Sequence, residues 1–221
     1  MRKVDFYFDY LSPFAYLTSV QIGEVCTRAN AAAVFRPVLF PALLNHWGQR
    51  GPAEIPPKSQ HVFKECLRYA LRRDIPFRSP RLHPFNPLLA LRVTWATEGE
   101  EERRAATQAL YALGWARGGD LSSRDEVADA LTGAGLSSAK LLDRAQSDET
   151  KQRLRTETDA AIARGVFGVP SMLTGNELFW GVSQLENLAA HLSGSDPLLN
   201  LDWTQLAPQG VGAWRRGVNR G

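Results

Sequence analysis

The sequence is poor in cysteine: among 221 residues only Cys26 and Cys66 occur, forty positions apart. That spacing fits no zinc-ligand or Cys-x-x-Cys pattern, so neither a metal site nor a dithiol redox centre is expected. Two buried, reduced thiols in a cytoplasmic setting are the simplest account. Long apolar runs are also lacking. No stretch reaches the roughly eighteen residues of a membrane span, and the opening segment to Tyr10 interleaves apolar with charged positions, unlike a signal peptide. Charge of one sign is scarce as well: 26 Lys and Arg stand against 23 Asp and Glu, a formal charge of +3. Arginine is spread out and forms no run of five basic residues, so neither nucleic acid nor membrane is expected as a partner. What remains, 44% hydrophobic and 22% charged, suits a soluble globular chain of one large domain or two small ones.

Secondary-structure signals change twice along the chain. Val4–Tyr10 is rich in aromatic residues and predicts a strand. Ser12 followed by Pro13 places a hydroxyl N-cap before a proline at the first helical position, and a helix is expected over Phe14–Arg28. Ala33–Phe40 predicts a second strand, and the connection is long enough for a parallel, right-handed crossover. Residues 41–57, rich in Gly and Pro, predict a loop with a short helical piece at Leu43–Trp47. Helices are then expected over Lys58–Arg73, Pro87–Thr97, Glu100–Arg117, Arg124–Leu131, Ala139–Ala145 and Glu149–Arg164. Ser123 with Glu126 is a capping-box signal, and Gly165 a helix stop. Strands return at Gly168–Thr174 and Glu177–Trp180 around the turn pair Gly175-Asn176, before a helix over Gln184–Leu192. The expected fold is α/β. A small mixed sheet drawn from residues 1–42 and 165–205 is interrupted by an all-helical insertion over 43–164, and a tail follows at 206–221.

Two places stand out chemically. Ser12 lies where a strand hands over to a helix, beside free N–H groups and the positive end of the helix dipole. A hydroxyl there either caps the helix or donates a hydrogen bond to a bound thiolate or oxyanion. Val169-Pro170 lies at the sheet edge, where the proline either guards that edge or leaves the Val169 backbone free to pair with an extended ligand.

In this order the features resemble the thioredoxin superfamily, with Ser12-Pro13-Phe14-Ala15 where redox members carry Cys-x-x-Cys. Without either thiol, dithiol–disulfide exchange by the usual route is not available. Phe8-Asp9-Tyr10-Leu11-Ser12-Pro13-Phe14-Ala15-Tyr16 is similar to the opening of the 2-hydroxychromene-2-carboxylate isomerases and kappa-class glutathione transferases of the DsbA-like branch. So are Gly165-Val166-Phe167-Gly168-Val169-Pro170-Ser171 and Glu177-Leu178-Phe179-Trp180-Gly181. His83-Pro84-Phe85-Asn86-Pro87-Leu88-Leu89-Ala90-Leu91-Arg92 is similar to an Asn-containing helix start in the family's insertion, and Pro57-Lys58 with Arg68-Tyr69-Ala70 fits the preceding helix.

The resemblance implies a thioredoxin-like domain with a helical insertion, using glutathione as cofactor. Ser12 would be catalytic and hold the glutathione sulfur as a thiolate. Val169 would pair its backbone with the cysteinyl part, Pro170 beside it would belong to the same cofactor site, and Trp180, Gly181, Val182 and Ser183 would hold the γ-glutamyl end. The reaction implied is isomerisation of an aromatic hydroxy or oxo carboxylic acid, by thiolate addition, bond rotation and elimination. Gln49, Lys58, His61, His83 and Asn86 are the candidates for binding that small aromatic acid, each with a solvated surface position as its plainer reading. A homodimer is implied as well. The chain departs from the family pattern at Gly48-Gln49, at His61 where tyrosine is frequent, at Glu65 where aspartate is common, and at Val182-Ser183, a pair that often ends in aspartate. Other readings are a kappa-like transferase or peroxidase that consumes glutathione, and a thioredoxin-like binding protein without catalysis.

Overall fold

Alternating burial builds the sheet. In β1 (Arg2–Phe8) Val4, Phe6 and Phe8 enter one core while Tyr7 enters another, the two-residue period of a strand covered on both faces. This is a computed structural model, and it describes residues 1–210. Helix α1 (Pro13–Arg28) carries the chain over to β2 (Ala31–Pro37), which pairs parallel with β1, as the crossover length requires. After the helical insertion, β3 (Ser171–Thr174) pairs antiparallel with β1, placing Met172 opposite Phe6. β4 (Glu177–Trp180) follows antiparallel to β3, so the strand order is β2-β1-β3-β4.

Seven α-helices lie between β2 and β3: α2 (Phe40–His46), α3 (Pro56–Leu71), α4 (Leu88–Trp95), α5 (Glu100–Tyr111), α6 (Arg124–Gly133), α7 (Ser138–Arg144) and α8 (Asp148–Ala163). Helix α9 (Leu185–Ser193) closes the fold. Sequence and structure differ at the element ends. β2 stops at Pro37, and Phe40, expected to end that strand, instead opens α2. β3 starts three residues late, because Pro170 has no N–H to give a ladder. The helix expected to run to Arg117 ends at Tyr111 and passes into a π-helical stretch, Ala112–Ala116. The capping box at α6 is half made: Ser123 accepts the Glu126 N–H, but the Glu126 carboxylate turns to the Asp120 amide instead. Gly165, at φ +80°, ends α8 as expected. Of the tail expected at 206–221, residues 211–221 lie outside the described residues.

One core runs from Val4, Phe6 and Phe8 through α1 and α9 into α4, α5 and α6, where Trp95, Tyr111 and Trp115 are fully buried. The second, smaller core puts Tyr7, Val38 and Leu173 against Leu43 of α2 and Ala161 of α8. Cys26 and Cys66 are buried free thiols. Burial pushes the Cys26 thiol up to about 11 and the Cys66 thiol further still, so neither is a ready thiolate. Among the described residues no helix is long and apolar enough to cross a membrane.

Candidate active site

Ser12 is both cap and donor. Its backbone is extended (φ −93°, ψ 113°), and its Oγ accepts the Ala15 N–H at 3.2 Å, the N-cap geometry expected at the start of α1. The same hydroxyl has a proton to give. It donates to the Val169 carbonyl at 3.3 Å, a long bond that joins the start of α1 to the loop before β3. Pro13 has no N–H, Ala15 is capped, and the Phe14 N–H has no partner among the described residues. The helix end therefore offers two donors, the Ser12 O–H and the Phe14 N–H, at the positive pole of the dipole.

The facing loop complements this end. The Val169–Pro170 peptide is cis, and the Val169 N–H, like that of Phe14, has no partner among the described residues. Among the described residues its carbonyl is engaged only by Ser12. Val169 thus presents one donor and one acceptor to an extended peptide, but not at the sheet edge expected from the sequence: β3 is an interior strand between β1 and β4, and Val169-Pro170 lies just before its start. Pro170 is held through its own carbonyl, which accepts the Gly181 N–H at 2.9 Å. Trp180 is half-exposed, with its ring edge-to-face on Phe167 at 5.2 Å. Gly168 permits that placement, since a Cβ there would lie 2.8 Å from the indole Nε1. Gly181 takes φ +98°, a conformation that favours glycine. Ser183 is exposed beside the start of α9, while the Val182 side chain is buried in the core and leaves only its backbone to a ligand.

A helix-capping serine, a facing X-Pro loop and a β-α-β…β-β-α order are now placed together, and the family model described as the DSBA-like thioredoxin domain matches residues 3–193. The chain belongs to that family. Within it, the chain is similar to the 2-hydroxychromene-2-carboxylate isomerase of Sphingobium xenophagum, 27% identical over 193 residues, or 86% of this chain and 98% of that one. It is also similar to glutathione S-transferase kappa 1 of Homo sapiens, 26% identical over 207 residues, or 87% and 91% of the two chains. The fold is that of a solved 2-hydroxychromene-2-carboxylate isomerase, at a TM-score of 0.81 and 23% identity over 93% of this chain and all of the other.

The remaining sequence candidates scatter across this DSBA-like chain. Gln49, Lys58 and His61 are exposed, and His61 stands 3.6 Å from Glu65 one turn on in α3. None of the three makes a hydrogen bond with Ser12 or Val169. Asn86 stands just before the Pro87 N-cap of α4, its Oδ1 accepting the Leu88 N–H at 3.0 Å. It also lines a cavity of about 1020 Å³ with Arg78, Arg81, Arg117 and Phe85, which Ser12 does not line. His83 is the one that reaches the serine loop: its Nε2 lies 2.8 Å from the Leu11 carbonyl. Among the described residues no cluster of three or more His, Cys, Asp or Glu is placed to hold a metal.

Sequence reasoning missed Asp9. Its carboxylate is fully buried three residues before Ser12, with Oδ1 accepting the Leu11 N–H at 3.0 Å and Oδ2 the Phe40 N–H at 2.8 Å. It ties the turn before Ser12 to the first residue of α2. The local signal was an aspartate two residues before the amide it accepts, an Asx turn. Burial pushes this carboxyl up to about 7, outweighing the two N–H groups that pull it down. A carboxyl that holds its proton more tightly folded than unfolded (about 3.9) makes stability fall as pH rises. For Asp9 that loss runs between about 4 and 7 and levels off above, because the folded chain binds the extra proton only in that window. Urea midpoints of wild type and Asp9→Asn across pH 4 to 8 check this: the wild type should weaken relative to the variant as pH rises. A pH-independent difference would rule it out.

Proposed function

We propose that the protein is a glutathione-dependent isomerase of an aromatic hydroxy or oxo carboxylic acid, of the 2-hydroxychromene-2-carboxylate type. The observation that carries this is that the Ser12 O–H meets the Val169 carbonyl while, among the described residues, the Val169 N–H and the Phe14 N–H beside them have no partner. An extended tripeptide thiol matches that set: the Val169 backbone would pair with its cysteinyl unit, and Ser12 and Phe14 would donate to its sulfur. The segment Trp180, Gly181, Val182 and Ser183, with Pro170 behind it, would take the γ-glutamyl end. Bound there, glutathione would supply the thiolate nucleophile for addition to a conjugated carbon and later elimination, between which the former double bond could rotate. For this the Ser12 hydroxyl must swing from the Val169 carbonyl toward the sulfur, and the freed carbonyl then accepts the peptide N–H. Two donors at a helix N-terminus lower a thiol pKa from its ordinary value near 8.5. Gln49, Lys58, His61 and Asn86 remain the proposed contacts for the acid substrate, as solvent-facing polar groups around the insertion.

Calorimetric titration with reduced glutathione tests the cofactor, with saturable heat expected. No saturation up to millimolar ligand would sink the reading. Mass analysis of turnover on aromatic oxo acids then decides the reaction, since an isomerase leaves substrate mass unchanged. A product that has gained glutathione would instead establish the kappa-type transferase, the second reading, which the similarity to the human kappa enzyme supports. We also propose that residues 43–164 form an insertion between 1–42 and 165–205, and that the protein works as a cytoplasmic homodimer. Light scattering checks the dimer.

A further inference from the structure

Three consecutive carbonyls lead into Ser12, and each accepts a side-chain donor from between β2 and β3. Tyr111 O–H donates to the Asp9 carbonyl at 3.1 Å, Trp115 Nε1–H to that of Tyr10 at 2.7 Å, and His83 Nε2–H to that of Leu11 at 2.8 Å. A carbonyl only accepts, so Nε2 of His83 carries the proton. Its Nδ1 is then a bare lone pair, and it is buried with no partner. The ring is gripped edge-on by Phe63, Phe85 and Trp115. An unpaired buried acceptor costs free energy, and here the ring bears that cost while its other nitrogen serves Leu11. Tyr111 and Trp115 are four residues apart where α5 passes into its π-helical stretch, so both project toward the same turn.

The turn needs such support. β1 ends at Phe8, so the sheet does not hold residues 9–12. The Ser12 N–H closes the turn onto the Asp9 carbonyl and the Asp9 side chain takes the Leu11 N–H, which leaves the Tyr10 and Leu11 carbonyls to donors from outside the turn. Those two carbonyls orient the peptide planes on either side of Leu11, and the second plane sets the direction of the Ser12 Cα–Cβ bond.

We infer that Tyr111, Trp115 and His83 form a donor ladder by which the helical insertion positions the Ser12 hydroxyl, with His83 a positioning residue rather than a substrate ligand. The inference rests on the proposed role of Ser12, but the ladder itself can be measured without glutathione. In ligand-free protein, amide exchange at Leu11 and Ser12 should quicken roughly tenfold in His83→Phe, the loss of one net hydrogen bond. His83→Gln, which restores an N–H at similar reach, should stay near wild type. Tyr111→Phe removes a single oxygen and gives the same test should His83→Phe fail to fold. Unchanged exchange in both variants would overturn the ladder.

Positioning is read separately, from the pH titration of the glutathione thiolate absorbance in the complex and from kcat against KM. His83→Phe should raise the thiol pKa and lower kcat severalfold with KM for the acid unchanged, and His83→Gln should restore both. Faster exchange with an unaltered thiolate titration and kcat would leave the ladder merely structural and overturn its positioning role. If wild type itself shows no depressed thiol, the proposed function fails while the exchange result still judges the ladder.

Discussion

Ser12→Ala should lower turnover of the aromatic acid about 100- to 1000-fold, the usual loss when one preorganised donor to a developing anion is removed. The hydroxyl is the side-chain donor at the start of α1, and its partner there, the Phe14 N–H, cannot replace it. Ser12 also caps the helix through Ala15, so the variant should unfold more easily by about 1 kcal/mol. The two effects separate cleanly. Urea unfolding reads the cap, while the glutathione thiol pKa in the complex, returning toward about 8.5, reads the lost donor. A variant that loses only the stability, with its thiol pKa and turnover intact, would remove Ser12 from the chemistry and leave it a capping residue.

Trp95→Ala should destabilise the fold by about 3–5 kcal/mol, the range for emptying a buried tryptophan site. Trp95 is fully buried at the end of α4, and its indole N–H donates to the Pro37 carbonyl at 2.8 Å, which anchors α4 to the end of β2. The guanidiniums of Arg103 and Arg153 lie 4.6 Å and 4.4 Å from its ring. Arg103 is itself buried with an unpartnered Nε, so losing the ring also strips a buried charge of its neighbour. Trp95→Phe keeps a ring but not the N–H and should cost about 1–2 kcal/mol. Denaturant midpoints of the three proteins measure both steps. Equal losses for Ala and Phe would mean that the hydrogen bond, not the packing, dominates.

Local signals in the sequence carry far in this protein. Ser12-Pro13 marks the helix start at the residue, because an N-cap hydroxyl and a fixed proline φ act within one turn. The aromatic alternation of β1, the Gly175-Asn176 turn and the Gly165 stop are local in the same sense, and the structure has them in place. Proline likewise explains why the ladder begins only at Ser171 and does not reach back to Val169. The candidates that scatter are those whose role depends on distant partners. Lys58 and His61 are legible as a lysine and a histidine on one helix, yet their spacing says nothing of where that helix faces. His83 reads as a polar residue before a helix, and only the packing of Phe63, Phe85 and Trp115 around its ring turns it toward Leu11. Asp9, Tyr111 and Trp115 were invisible as site residues because the carbonyls they serve, or the amides they accept, lie up to 105 positions away in the chain.

The α/β order and the serine at the helix start follow from backbone preferences of a few adjacent residues, and the parallel crossover from the length of the connection between the first two strands. The meeting of the Ser12 hydroxyl with the Val169 carbonyl, and of three insertion side chains with the turn before it, arises only in the packed fold. Reach separates the two. Capping, turn and strand propensities act over about four residues, whereas a hydrogen bond between residues 12 and 169 forms only after the sheet and both cores have brought those segments within 3.3 Å.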